Sequence, residues 1–408
     1  MRRAMLCAAL AIVFGPSSSG AQSLTMTESE ALARLPTSSP RERAIRAGVE
    51  VSRADVAAAG RWPNPRLTVD RESVAGVTEY LTMVAQPLPI TGRRDLDVQA
   101  ASALVSARSS RADDEVRRLR ADLRLAFADL VSAQTRSRDL TAARDRLREL
   151  AGLLAKREAA GDAAGFDRLR AEREVLDLET DLGVATTERT RAQATLAGFF
   201  DDITDPFQIV AVANAPSTAP LPELDVLLDR ANTARGEFLA LRHEVQAAEL
   251  FAKASDRRLI PEPEVVGGTK SSTLAGGDLG TVFTVHATLP LFDRGRPEQA
   301  MAAARRVQAE ARAEALRLIL RGQVAALREA LIQRRASAER YRSEAVSNAT
   351  EIERIARVSY DAGERGILEL LDAHRLAASA RVRQAALDLA VRQIEIELEF
   401  ATGWEIGS

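Results

Sequence analysis

The chain has 408 residues, with 56 basic against 58 acidic side chains and a formal charge of −2 at pH 7. The two signs are interspersed, which leaves no basic field for nucleic acid and excludes DNA or RNA as a partner. Aromatics make up only 4% while Ala and Arg are abundant, a balance that favours long, surface-rich helices over a thick aromatic core.

The N-terminus reads Arg2-Arg3, an apolar run from Ala4 to Phe14, then Ser19-Gly20-Ala21. This is the charged, apolar and small-residue order of a secretory signal, so residues 1–21 are expected to be a signal peptide cleaved after Ala21. The apolar run ends at Gly15-Pro16, too short to span a bilayer. The single cysteine, Cys7, lies inside it. A mature chain without cysteine has no disulfide, thiolate metal site, cysteine nucleophile or lipid-bearing Cys.

Residues 28–61 pattern as helix and stop at Trp62-Pro63-Asn64-Pro65, where two prolines force extended backbone. Two strands are expected at 66–74 and 79–87. After Pro89 the chain is free of proline from 90 to 205, and a helix from 93 to about 160 would span roughly 100 Å. Val116, Leu119, Leu123, Phe127 and Leu130, then Leu140, Leu147, Leu150 and Leu154, form one stripe at a spacing near 3.5, the signature of a coiled-coil-like seam. Gly161-Asp162-Ala163-Ala164-Gly165 is a tight turn, and a return helix completes a hairpin over 93–198. These elements make a first repeat over 22–200, and the Pro-rich stretch 201–222 is a linker.

A second repeat over 223–402 follows in the same order, with a short tail at 403–408. A helix runs to Ile260-Pro261-Glu262-Pro263, strands are expected at 264–271 and 281–289, and a hairpin over 297–401 turns at Gly363-Glu364-Arg365-Gly366. Phe283, Val285, Ala287 and Leu289 alternate with Thr284, His286 and Thr288, giving that strand one apolar and one polar face. A duplication of about 200 residues is too long for a solenoid unit, so it points to two copies of a whole structural unit.

Four strands of this length cannot close a barrel, and an open sheet leaves two unpaired edges. A secreted chain with alternating strands long enough to cross a bilayer when tilted points to a barrel shared between copies. A small soluble sheet capping a helical domain carries the same strand pattern, and the pattern by itself leaves both open.

The Pro-Asn-Pro stop, Gln86-Pro87-Leu88-Pro89 before Gly92-Arg93-Arg94, the counterpart Leu289-Pro290-Leu291, and the turn from Tyr360 through Gly363, Arg365 and Gly366 to Leu371-Asp372-Ala373 resemble the TolC family of outer-membrane efflux channels. The heavy-metal and drug branch, which serves resistance-nodulation-division pumps, is the most similar. The resemblance covers residues 28 to 402. It implies a mainly α fold of long antiparallel hairpins, with four strands per protomer entering a twelve-stranded transmembrane β-barrel in a homotrimer. It also implies an outer-membrane location with the helices in the periplasm of a Gram-negative bacterium, and passive export as the exit duct of a tripartite pump. The implied partners are a periplasmic adaptor, an inner-membrane transporter and outer-membrane lipid, and no cofactor is implied.

The same resemblance implies that the two turns form the periplasmic tip, with Gly161, Gly165, Gly363 and Gly366 shaping it for adaptor contact. Asp167, Tyr360 and Arg365 match the positions that hold the tip shut. Glu369 and Asp372 match pore-lining carboxylates. Their spacing of three places both on one helix face, and three-fold symmetry would turn each into a ring that favours cations. Each also has a plain helical reading: Arg365 at a helix C-terminus, Asp167 at an N-terminus, and the two carboxylates on a solvated face. His243, His286 and His374 show no ligand spacing, so no metal site is assigned. No phosphate loop, His-Glu-x-x-His or Gly-x-Ser-x-Gly occurs, so no enzymatic activity is expected. The competing classes are a periplasmic adaptor, which would carry one hairpin between β-rich segments rather than two, and a secreted coiled-coil scaffold without a pore, which would extract in buffer without detergent.

Overall fold

The computed structural model describes residues 23–161, 165–213, 219–274 and 277–404. The expected signal peptide, with Cys7 and the cleavage position, lies outside the described residues, as does Asp162-Ala163-Ala164 in the first turn.

A short strand β1 (Leu24–Met26) leads into α1 (Glu28–Ser38) and α2 (Pro40–Ala59). The single helix expected from 28 is thus broken. The Ser39 side chain accepts from the Glu42 amide and Pro40 takes the first helical position, so a new N-terminus is built at a proline. Strands β2 (Arg66–Val74) and β3 (Val77–Pro87) precede α3 (Arg93–Ala159), an unbroken helix of 67 residues, and α4 (Gly165–Ala197) returns beside it. Inside the expected linker, β4 (Ile209–Ala211) pairs in parallel with β1. Three-residue strands without alternation carry no readable period, which is why that pair was invisible in the sequence.

The second half repeats the plan with α5 (Leu224–Ala234), α6 (Gly236–Asp256), β5 (Pro263–Ser272), β6 (Asp278–Ala287), α7 (Arg296–Arg340), α8 (Ser347–Asp361) and α9 (Ile367–Thr402). The break between α5 and α6 falls where the Gly236 amide donates to Asp114 Oδ1 at 3.2 Å, so the turn is held by α3. A single π-helical segment, Tyr341–Val346, joins α7 to α8 without ending the rod. Strand β6 begins three residues before the expected 281 and stops before Pro290.

The stripe on α3 is buried as its spacing predicts: Leu123 and Leu130 are fully enclosed, and Leu119, Phe127, Leu140, Leu147 and Leu154 nearly so. Leu119, Leu123, Phe127 and Leu130 pack with Ala31 and Leu35 of α1 and Leu196 of α4, where the ends of the two shorter rods meet against α3. In the second half, Leu227 of α5, Phe238 of α6, Leu320 to Leu331 of α7 and Leu398 of α9 form the equivalent core. A chain of buried charges joins the halves there. Glu28 accepts from Arg124 at 2.5 Å and from Arg392 at 2.8 Å, Arg124 also pairs with Glu399, and Glu395 binds both Arg392 and Arg335.

The four-stranded sheet is antiparallel in the order β2-β3-β5-β6, so its centre is the pairing between the two repeats and its outer strands have one neighbour each among the described residues. Leu67 and Val69 of β2, Val84 of β3, and Phe283 and Val285 of β6 share one face and are all about half or more exposed. Arg71 is the one charge on that face, stacked on Tyr80 near the hairpin end. The other face carries Arg66, Glu79, Glu264, Lys270 and His286, linked by Lys270–Glu79 at 2.7 Å and Arg66–Glu264 at 3.5 Å, with His286 Nδ1 3.9 Å from Glu264.

Candidate gate and pore-lining site

At the far end of the molecule from the sheet, α3 turns into α4 and α8 into α9. Both long rods end the same way. Ala160 and Ala362 cap them in right-handed geometry, and Gly161 and Gly363 follow at φ 80° and 72°, the left-handed conformation that lets the chain reverse without a Cβ clash. In the second turn the Glu364 and Arg365 amides donate to the Ser359 carbonyl, at 2.9 and 3.3 Å, satisfying the end of α8. Gly165 opens α4, and Gly366 precedes α9 in extended geometry.

The structure brings some of the expected gate residues together and keeps others apart. Tyr360, in the last turn of α8, meets the first hairpin through Arg157 of α3. The guanidinium lies 5.7 Å from the ring centroid, and its Nη1 donates to the hydroxyl at 3.4 Å. Asp167 sits half-buried in the first turn of α4, where its charge complements the helix N-terminus. Arg365 projects into solvent from the turn. Among the described residues of one protomer neither forms an ion pair with the other or with Tyr360.

Glu369 and Asp372 are exposed on α9, outside the buried face made by Ile367, Leu370, Leu371 and His374. Glu369 is also the third residue of its helix, and its carboxylate folds back toward Gly366 at the positive end of α9. The first turn is braced by Arg168, whose Nε reaches Glu158 at 2.5 Å while Nη1 reaches Glu172 at 2.8 Å.

Two groups of contacts escaped the sequence reading. Arg157 is one, a cation in the last turn of α3 that the sequence reading did not single out. The other is centred on Glu353 of α8, whose Oε1 is 3.0 Å from His374 Nδ1 and accepts from Arg146 at 3.3 Å, while Oε2 accepts from Arg381 at 3.1 Å. A signal for it existed. Glu353 lies four residues after buried Ala349 and three before buried Ala356, a charged residue in a seam position.

The model of the outer membrane efflux protein family matches residues 227–404. Over that stretch, the second repeat, the chain is similar to this family. It is 25% identical over 328 residues to the cobalt-zinc-cadmium resistance protein CzcC of Cupriavidus metallidurans, covering 79% of this chain and 76% of that one. Among solved structures it superposes on a membrane protein of Pseudomonas aeruginosa with a TM-score of 0.74 at 20% identity, covering 92% of this chain and 93% of the other. It superposes equally on the Campylobacter jejuni CmeC outer membrane channel, TM-score 0.74 at 12% identity, covering 93% and 87%. The fold is therefore that of the TolC-like channels, with a helical barrel and a β-barrel contribution. The family matched over residues 227–404 is one of outer membrane efflux proteins, whose role is that of a channel. No helix among the described residues is long and apolar enough to cross a membrane.

Proposed function

We propose that this protein is the outer-membrane exit duct of a tripartite efflux pump and works as a homotrimer. The observation that carries the reading is the sheet. It has one exposed apolar face, one charged face and two unpaired edges, β2 and β6, and it stands on two long hairpins. Joining β2 of one copy to β6 of the next removes every edge, turns the apolar face to lipid and encloses the charged face as a lumen. Three copies of four strands close such a barrel.

The helices support the same ring. In the tip half their order is α4, α3, α9, then α7 with α8, which leaves α4 and α8 at the two sides. Both sides carry exposed apolar stripes: Phe166, Leu169 and Leu176 on α4, and Ile352, Ile355 and Val358 on α8. Two different faces meeting head to tail make a heterologous contact that closes around a rotation axis.

The tip would be the resting gate. Tyr360 acts within the protomer through Arg157, while Arg365 and Asp167, unpaired with each other in one copy, would meet across the protomer boundary. Glu369 and Asp372 would line the pore as rings of negative charge and favour cations. The partners would be a periplasmic adaptor gripping the glycine turns and an inner-membrane transporter of the resistance-nodulation-division type that supplies the energy. The cargo we propose is heavy-metal cations, supported by the relative named for cobalt, zinc and cadmium resistance and by the acidic pore residues.

Membrane fractionation and planar-bilayer recording test this reading together. A duct fractionates with the outer membrane as an SDS-sensitive trimer and conducts. Extraction in buffer without detergent, with no conductance, would sink it in favour of a scaffold. Loss of tolerance to cobalt, zinc or cadmium on deletion, restored by the intact gene, is the expected result for the cargo.

A further inference from the structure

Two turns above the gate, His374 is only 7% exposed and lies at the junction of three helices from both hairpins. The charged groups facing it are Arg146 from α3, Glu353 and Arg357 from α8, and Arg381 of its own helix through Glu353. Glu353 is the only carboxylate among these four, and it holds three donors at once: His374 Nδ1 at 3.0 Å, Arg381 at 3.1 Å and Arg146 at 3.3 Å. One side chain thus joins α8 and α9 of the second hairpin to α3 of the first, beside the cluster in which Leu147 and Leu154 pack against Leu370 and Leu371.

The charge balance makes this junction sensitive to protons. Three guanidinium groups and one carboxylate leave a net charge of +2 around a buried imidazole. A protonated His374 adds a further positive charge where solvent cannot screen it. We infer that Glu353 is a positioning residue for the gate, clamping the second hairpin to the first, and that the clamp loosens when His374 takes up a proton.

The direction of the effect follows from linkage. Burial, aided by Arg357 and Arg146 and opposed by Glu353, holds the His374 pKa below its ordinary 6.5. An opened tip that exposes the imidazole returns it toward that value. The closed state therefore binds fewer protons than the open one. The stability of the clamp is complete above 6.5 and is lost as pH falls through that value and on through the depressed one. Each pKa unit separating the two states shifts the open-to-closed ratio by about tenfold per protomer.

The inference rests on the duct reading, so its test uses two readouts on the full-length protein. In planar bilayers, wild type is expected to open more as pH falls from about 7.5 to about 5.5, the interval in which imidazole titrates. His374→Asn, which keeps a donor toward Glu353 but cannot titrate, should show a flat profile at the neutral-pH level. Glu353→Gln should already be open at the higher pH. A wild type with no pH step, or a His374→Asn channel that keeps it, overturns the clamp. Amide hydrogen exchange over residues 353–374, corrected for intrinsic rate, reads the same event without conduction. Protection lost in acid in wild type but kept in His374→Asn supports the clamp even for a chain that conducts nothing, a result that would count against the duct alone. Equal protection at both pH values overturns it.

Discussion

The Arg157 guanidinium lies over the Tyr360 ring, 5.7 Å from its centroid, and so ties the last turn of α3 to the last turn of α8. An exposed contact of this kind is worth about 0.5–1 kcal/mol. Arg157→Ala is therefore expected to raise tip opening roughly two- to fivefold per protomer. Tyr360→Phe keeps the ring and loses only the 3.4 Å hydrogen bond, so its effect should be smaller. Single-channel open time measures both, and equal behaviour of Arg157→Ala and wild type removes the contact from the gate.

Arg365 and Asp167 have no partner in each other within one chain, so the reading that pairs them requires two copies. Arg365→Ser should raise single-channel conductance by loosening the closed tip. In the double variant Arg365→Cys with Asp167→Cys, made in a Cys7→Ser background so that no other thiol is present, oxidation should join neighbouring protomers into dimers and trimers on denaturing gels. A monomer band after oxidation would separate the two residues.

Glu369 and Asp372 share an exposed face of α9, and their rings should make the pore cation-selective. The double substitution to Ala should move the reversal potential in a salt gradient toward zero with little change in conductance at high salt, where such charges are screened. An unchanged reversal potential would place the selective charges elsewhere, with Glu79 and Glu264 on the charged face of the sheet the next to test.

Glu28 is 7% exposed and accepts from both Arg124 and Arg392, so Glu28→Ala leaves two cations without a shared partner. Removing one member of a buried ion network costs about 3–5 kcal/mol. Glu50, paired with Arg53 at the surface with both side chains over 60% exposed, offers the control. Its replacement by Ala should change stability by less than about 0.5 kcal/mol. Thermal melts followed by circular dichroism compare the two, and similar losses would show that the equatorial network contributes no more than a surface pair.

Much of the fold could be read from the sequence because its signals are long. A stripe such as Leu119-Leu123-Phe127-Leu130 repeats over many turns of α3, and proline pairs mark where each helix must stop, so local geometry alone announces both hairpins. The matched glycine turns were legible for the same reason, since Gly161 and Gly363 occupy backbone that side chains avoid. The break at Arg235-Gly236 was not legible because Asp114 of α3 holds it, and the β1–β4 pair because its strands are too short to carry a period, whereas the break at Ser39-Pro40 has a local signal, a capping serine before a proline, inside an otherwise helical pattern.

The division is sharpest at the tip. Sequence by itself placed Tyr360, Arg365, Asp167, Glu369 and Asp372 near the turns, because helix periodicity and turn chemistry are local. Only the tertiary structure decided that Tyr360 meets Arg157, that Glu353 gathers His374, Arg146 and Arg381, and that Glu369 folds back over its own helix start. Those partners lie up to 207 residues apart in the chain, and pairing across such distances follows from how two rods pack, which no local period encodes.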